Sequence, residues 1–213
     1  RRLPLERAFR HDQEGYFLHL SSARPSPEEA TVHYAIDAGR SKLTVQAMAG
    51  GILSSLGHNP TIIFRDLSGD LQVDPADLKS SSVRITVKVD SLVALNDVRD
   101  EDRREIERRG REEVLEASKY SEVTYDCSTV SASKTADGQY WVALSGQLTL
   151  HGITHDQPVS ARVTFNDDLL RAYGECSLKQ TAYGIKLVSA VGGTIKVKDD
   201  VKITFEVVAQ KQG

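Results

Sequence analysis

Hydrophobic and polar residues alternate along much of this chain. Val83, Ile85, Val87 and Val89 are separated by polar residues, and residues 144–150 and 159–165 repeat the pattern. A period of two is typical of β-strands that bury one face. These segments therefore predict half-buried strands, and residues 145–165 predict a hairpin with one apolar face.

Turn residues separate further segments of this kind. Strand character is found at residues 42–47, 61–73, 123–130, 140–150, 169–178, 194–198 and 201–208. Asp137-Gly138 predicts a tight hairpin turn, whereas Gly152 and Pro158 predict a longer connection. Residues 49–60 combine three glycines with a proline, which favours an apolar loop or a short helix. So many strands predict a mainly β fold, either a barrel of about eight antiparallel strands or a sandwich.

One segment, residues 97–117, has helical character. Asp97 is a candidate N-cap, acidic residues follow in the first turn, and a thin apolar stripe predicts one charged surface helix. Three pairs have the spacing of ion pairs within a helix, namely Asp100/Arg104, Glu105/Arg109 and Glu107/Arg111. The arginines also allow a phosphate site, formed by Arg103, Arg104, Arg108, Arg109 and Arg111. The interleaved acids favour a self-paired, solvated face instead.

Composition narrows the classes of function. The chain has 213 residues, of which 39% are hydrophobic, enough for one sizeable core. The net charge of -3 provides no basic field, so we expect no nucleic-acid partner. No apolar stretch is long enough to span a bilayer, and the first thirty residues contain no signal core. As it stands the sequence predicts a cytoplasmic protein, and a periplasmic one if a signal peptide was removed.

The charged residues 1–31, which include a Ser/Pro run, predict an N-terminal extension and linker. Residues 32–213 then form one predicted barrel domain. Cys127 and Cys176 lack metal-binding spacing and predict two buried thiols, with a bridge between barrel strands as the alternative.

Candidate catalytic chemistry is sparse. His151 and His155 lie four residues apart around a turn, where they do not share a helical face, and His58 is the third histidine of a candidate metal site. No acid or thiol at ligand spacing supports such a site, so we expect no metal, no cofactor and no catalytic residue. A metal-dependent hydrolase that uses the three histidines remains an alternative.

Several motifs resemble the YceI family of polyisoprenoid-binding proteins. They occur in family order from residue 34 onward: YAIDAGRSKLTVQA, GHNPTIIFRDLSGDL, VRITVKVDSL, RDEDRREI, SGQLTLHGIT and SLKQTAYGIK. The helical region departs from the family, since it reads VLEASKYSEVTY where many members have a phenylalanine-rich turn. The resemblance implies an antiparallel, lipocalin-like barrel that holds a long isoprenoid, quinone-like or fatty amide chain without enzymatic activity. It also implies transport or sequestration, and homodimers as one assembly.

The ligand-binding residues are predicted on three grounds. Strand alternation selects Leu43, Val45, Ile62, Phe64, Val87, Val89, Tyr125, Leu148, Leu150, Val163 and Phe165 as cavity lining. The family motif implies Tyr183 and Ile185, and Leu53, Leu56 and Leu115 are candidates to close one end of the cavity. His58 and Arg99 are candidates to meet a head group, although surface positions are the simpler interpretation. A structural or partner-binding barrel with a filled core is the second alternative.

Overall fold

A computed structural model describes residues 31–50, 61–74, 77–95, 99–187, 189–190 and 195–213. The strands are β1 (Val32–Ile36), β2 (Lys42–Gly50), β3 (Thr61–Phe64), β4 (Leu67–Val73), β5 (Ser82–Lys88), β6 (Leu92–Ala94), β7 (Glu122–Cys127), β8 (Val130–Ala136), β9 (Gln139–Leu150), β10 (Ile153–Asn166), β11 (Leu169–Lys179), β12 (Ser189–Ala190) and β13 (Ile195–Lys211). One α-helix, α1 (Asp100–Arg109), continues into a π-helical turn at Gly110–Val114. Short 3-10 turns lie at Leu78–Ser80, Val89–Ser91 and Gln180–Tyr183.

Eight of these strands close into a barrel. Their order is β1, β4, β5, β7, β9, β10, β11 and β13, and all of these pairs are antiparallel. The pairing of β1 with β13, in which Tyr34 faces Lys211, closes the circle. The predicted mainly β barrel with one charged surface helix is therefore confirmed.

Three chain segments change partners along the barrel. β1 and β2 are separated by residues 37–41, β3 and β4 by residues 65–66, and β5 and β6 by the 3-10 turn at Val89–Ser91. One strand of each pair belongs to the barrel, namely β1, β4 or β5. The other three form a second run of paired strands, in which β2 pairs with β13, β3 with β2 and β6 with β3. The pairing of β5 with β7 ends at Lys88 and Glu122. The chain continues from there into β6, and α1 packs beside this strand.

The barrel interior is solid at one end. The buried side chains of this packed end are Tyr34, Leu71, Val73, Cys127, Val130, Val142, Ala161, Val163, Leu170 and Ala209. Tyr140 and Tyr34 add ring contacts to Phe165, with centroids 5.8 and 6.3 Å apart. Among the described residues, these side chains pack against one another and fill this end of the barrel.

The hairpin of β9 and β10 differs from its prediction in the turn. His151 and Gly152 both have positive φ, 53° and 74°, and β10 begins at the next residue, so the connection is two residues long. Pro158 lies within β10 opposite Ser145. The Ser145 N–H donates to the carbonyl oxygen of Thr129 and not to residue 158, so these two residues exchange no ladder hydrogen bond. A proline, which has no N–H, is therefore tolerated inside the strand.

The predicted helix is shorter than expected and its ion pairs are partly different. Glu107 pairs with Arg111 at 3.3 Å, as predicted. Asp100 pairs with Arg103 and Glu105 with Arg108, three residues on rather than four, and Arg109 pairs with Glu113. Both spacings bring side chains together on a helix, so spacing alone did not choose between them. The predicted N-cap Asp97 lies outside the described residues.

Both cysteines are free thiols, Cys127 buried and Cys176 half-buried, so the alternative of a bridge between strands is wrong. Across the described ranges, no helix has the length and apolar character needed to span a membrane. Of the predicted extension and linker, only residue 31 is described, and the domain division there remains a prediction.

Candidate ligand-binding cavity

A cavity of about 520 Å³ occupies the hollow end of the barrel. Its wall is formed by inward side chains of β2, β3, β4, β5, β6, β7, β9, β10, β11 and β13, together with the helical segment. The lining is dominated by aliphatic residues, and a volume in this range is typical of small-molecule sites. The apolar faces of the strands therefore enclose space as well as core.

Ten of the predicted lining residues border this cavity. They are Leu43, Val45, Ile62, Phe64, Val87, Leu115, Tyr125, Leu148, Leu150 and Ile185. Their role in binding a ligand remains a prediction, and Leu53 and Leu56 lie outside the described residues.

Four predicted residues lie elsewhere in the barrel. Val163 and Phe165 point inward from β10 but belong to the packed end, because they lie further along the strand than Val159, which borders the cavity. Val89 is 1% exposed in the 3-10 turn where the chain has already left β5. Tyr183, 2% exposed, packs with Leu178 and Val201 behind the cavity wall.

Several lining residues were not predicted although their pattern was visible. Val201, Ile203, Phe205 and Val207 alternate along β13 and all border the cavity. Cys176 and Leu178 do the same on β11. The period-two signal that selected β5 and β9 applies to these strands equally, so they were open to the same inference.

Two glycines create the floor of the cavity. Tyr125 lies across Gly146, where an added Cβ would approach the Tyr125 Cζ atom to 2.6 Å. Phe205 lies across Gly174 in the same way, with a corresponding separation of 2.5 Å to its Cζ atom. Both rings border the cavity on one side and contact the packed end on the other. The floor therefore consists of two aromatic rings that lie against glycine backbone.

Three polar side chains that border the cavity, those of Tyr125, Cys176 and Gln180, are uncharged, and two of them are paired internally. The Tyr125 hydroxyl donates to the carbonyl oxygen of Gln157 at 3.2 Å, and burial raises the pKa of this phenol well above its usual range. The Gln180 side chain donates to the Lys198 carbonyl oxygen at 2.9 Å. Burial also raises the pKa of the Cys176 thiol, which keeps it neutral at neutral pH. This part of the cavity is suited to an apolar chain.

The helical segment forms the mouth of the cavity, defined here by Glu105, Ile106 and Arg109. All three border the cavity, and the side chains of Glu105 and Arg109 are 56% and 33% exposed. A residue that touches both the interior and water marks an opening. The cavity therefore reaches solvent at α1.

The π-helical turn sets which helix residues face inward. Leu115 N–H donates to the Gly110 carbonyl oxygen at 3.0 Å, a bond five residues long. The extra residue moves Glu113 away from the cavity, where it accepts from Arg109, and brings Val114 and Leu115 to the lining. Turns of this kind occur frequently at functional sites.

The two histidines of the β9–β10 hairpin contact backbone rather than a shared centre. His151 Nδ1 is 3.2 Å from the Tyr183 carbonyl oxygen, and His155 Nε2 is 3.0 Å from that of Ala182. No cluster of three or more metal-binding side chains occurs in the part of the chain that the structure describes. His58 lies outside that part. Arg99, the other predicted head-group residue, pairs with Asp102 on the surface and does not border the cavity.

Comparison with known proteins identifies the family. Residues 34–209 match the family model of the YceI-like domain, which is most of the chain. This chain belongs to the YceI-like family. A UPF0312 protein of Pseudomonas syringae pv. tomato is 28% identical to this YceI-like chain over 158 residues, which cover 70% of the chain and 73% of the relative. A UPF0312 protein of Pseudomonas fluorescens is 29% identical over 115 residues, 53% of the chain and 54% of the relative.

Solved structures share the barrel of this YceI-like chain. BcnA of Burkholderia cenocepacia superposes with a TM-score of 0.61 at 21% identity, covering 82% of this chain and 99% of BcnA. A polyisoprenoid-binding domain from Saccharophagus degradans superposes with a TM-score of 0.60 at 16% identity, covering 84% and 98% of the two chains. At these identities the likeness shows a common fold.

Proposed function

We propose that this protein binds a long apolar ligand, such as a polyisoprenoid, a quinone-like molecule or a fatty amide, inside its barrel and carries or sequesters it without chemical conversion. The observation that carries the proposal is the cavity of about 520 Å³ with an aromatic floor and a mouth at α1. The polyisoprenoid-binding domain of the same fold supports this ligand class.

Burial of apolar surface supplies the affinity in this proposal. Removal of apolar surface from water stabilises a complex by roughly 25 cal/mol per Å². Leu43, Leu148 and Ile203 present such surface from different strands. A prenyl or acyl chain gains this contribution along its whole length, so binding does not require a polar constellation deep in the barrel.

The alternatives lack a supporting observation. A barrel that serves only as a structural or partner-binding scaffold would be filled along its length, whereas the described residues fill the interior around Val142 and Val163 and enclose a cavity beyond them. The metal-dependent hydrolase requires convergence of His151 and His155 with His58, and the first two rings contact separate carbonyl groups. The homodimer remains a prediction.

The proposal is tested by filling the cavity from one strand. Leu148 borders the cavity, and the adjacent Gln147 is exposed on the opposite face of β9. We expect Leu148→Trp to weaken the binding of geranylgeraniol at least about tenfold in calorimetric titration, because the indole occupies ligand space. Gln147→Trp, the matched control, keeps the affinity of the wild type. Equal affinity of all three proteins, or no binding to the wild type, would contradict the proposal.

A further inference from the structure

Arg109 differs from the other arginines of the helical segment because it borders the cavity. Its Nε atom donates to Glu113 Oε2 at 3.0 Å, and its side chain is two-thirds buried. Within the described ranges, neither Nη1 nor Nη2 of Arg109 has a hydrogen-bond acceptor. A guanidinium has five N–H donors, so Arg109 retains donors for a ligand at the mouth.

The second charged residue of the mouth is already neutralised. Both carboxylate oxygens of Glu105 accept from Arg108, at 2.9 and 2.8 Å. Arg108 also donates to Glu112 and Glu113 and does not border the cavity. Arg109 is therefore the charged group at the mouth that has free donors, and the polar end of a ligand would meet it there.

The charges around Arg109 indicate which kind of polar end it accepts. Three carboxylates, Glu105, Glu112 and Glu113, are bonded to two guanidinium groups, Arg108 and Arg109, which leaves an excess of one negative charge. A diphosphate would bring several more negative charges into this cluster and be repelled. An uncharged carbonyl oxygen accepts from a guanidinium without that repulsion.

We propose that Arg109 binds the polar end of the ligand and that this end is an uncharged carbonyl oxygen, as in a ketone, ester, amide or quinone, rather than a diphosphate. The inference rests on the proposed function, because it places the apolar chain between Arg109 and the floor at Tyr125 and Phe205. The mouth thus selects among ligands that share the same chain.

Matched ligands separate this selection from chain binding. The probes are three compounds that share the C20 geranylgeranyl chain, namely geranylgeranylacetone, geranylgeranyl diphosphate and the corresponding hydrocarbon, each used to displace N-phenyl-1-naphthylamine. We expect the ketone to bind about tenfold more tightly than the hydrocarbon, as one hydrogen bond from a charged donor allows. The diphosphate is expected to bind no more tightly than the hydrocarbon.

Substitution of Arg109 assigns the preference to this side chain. Arg109→Met is expected to remove the advantage of the ketone while the affinity for the hydrocarbon changes less than about twofold. Arg109→Gln, which keeps an N–H donor and a similar length, retains part of the advantage and guards against a folding defect. Arg104→Met, on the exposed side of α1, is the control and keeps the full advantage.

The outcomes distinguish the two proposals. Tighter binding of the diphosphate than of the ketone, or an equal loss for all three ligands in Arg109→Met, would overturn the role of Arg109 and leave cavity binding intact. Failure of all three ligands to bind the wild-type protein would overturn both proposals.

Discussion

At the scale of single residues, the depth of the cavity depends on contacts between rings and glycines. Gly146 and Gly174 have no side chain, so Tyr125 and Phe205 lie flat against the neighbouring strands. With any larger residue at these positions the rings would have to move toward the open space. Two residues without side chains thus determine where the core ends and the cavity begins.

The close contact between the Tyr125 ring and Gly146 predicts the effect of a methyl group added at residue 146. In Gly146→Ala the new Cβ would lie 2.6 Å from the Tyr125 ring and 2.7 Å from the Asp126 carbonyl oxygen. We expect a loss of about 1–3 kcal/mol in the free energy of unfolding in urea, since overpacking forces backbone and ring to shift. Gly39→Ala, whose Cβ would meet only Asp37 Oδ1 at 3.4 Å, is the control. Equal stability of the two variants would show that Tyr125 does not lie against Gly146.

Cys176 provides a chemical probe of the cavity. Because burial raises the pKa of this thiol, the reactive thiolate is scarce at neutral pH, and alkylation by iodoacetamide should accelerate with pH beyond about 9. A ligand in the cavity should slow alkylation several-fold, since Cys176 borders that space. Peptide mass spectrometry measures this rate, and Cys127 of the packed end is the internal control. If the alkylation rate levels off below pH 8.5, or does not change when the ligand is added, Cys176 is not a half-buried thiol at the cavity wall.

At the scale of elements, the helical segment is attached to the free edge of β6 by side chains. The Ala94 N–H donates to Glu107 Oε1 at 3.1 Å. Arg111 donates through Nη2 to the Leu92 carbonyl oxygen at 2.7 Å and through Nε to that of Asp90 at 3.3 Å. Glu107 and Arg111 thus satisfy backbone groups that a neighbouring strand would otherwise pair. This attachment holds the mouth of the cavity in place.

Removal of the attachment should loosen the helix without unfolding the barrel. We expect Arg111→Met to accelerate amide hydrogen exchange in α1 and at Ala94 by about tenfold or more, because hydrogen bonds from a charged donor contribute about 1.5–3 kcal/mol. Exchange in β9 and β10 should stay unchanged. Arg104→Met is again the surface control. If the two variants show the same exchange in α1, the contacts of Arg111 do not hold the helix.

The elements also show what the sequence can and cannot specify. The alternation in β5, β9 and β10 predicts which side chains face inward, and their burial agrees. It does not predict depth along the barrel axis. Leu148 and Val163 have the same pattern, although Leu148 borders the cavity and Val163 belongs to the packed end. Depth depends on register between distant strands, which no local period records.

The helix shows a second limit of the same kind. Its charged composition predicts a surface helix, and α1 is turned so that Gly110, at its end, lies close to the Leu92 side chain. Such tertiary packing, which the helical period does not record, determines which face of α1 borders the cavity. The selection of Arg109 from five interleaved arginines was therefore beyond a helical-wheel argument.

At the scale of the whole molecule, the barrel combines a packed end that stabilises the fold with a hollow end that remains open. The two halves share β7, β9, β10, β11 and β13, and β13 runs through both, from Val197 at the cavity to Ala209 in the core. This division allows the cavity to be filled or emptied while the closed circle of strands is kept. We therefore expect ligand binding to raise the melting temperature without a change of fold.

Native mass spectrometry of the full chain, purified from cells without detergent or organic solvent, tests the central claim most directly. We predict that the wild-type protein and Gln147→Trp carry one co-purified lipid of isoprenoid, quinone or fatty amide mass. Leu148→Trp should carry little or none, because its indole fills the lipid space. An empty wild-type protein, or equal lipid content in Leu148→Trp, would contradict the assignment of the cavity as a ligand site.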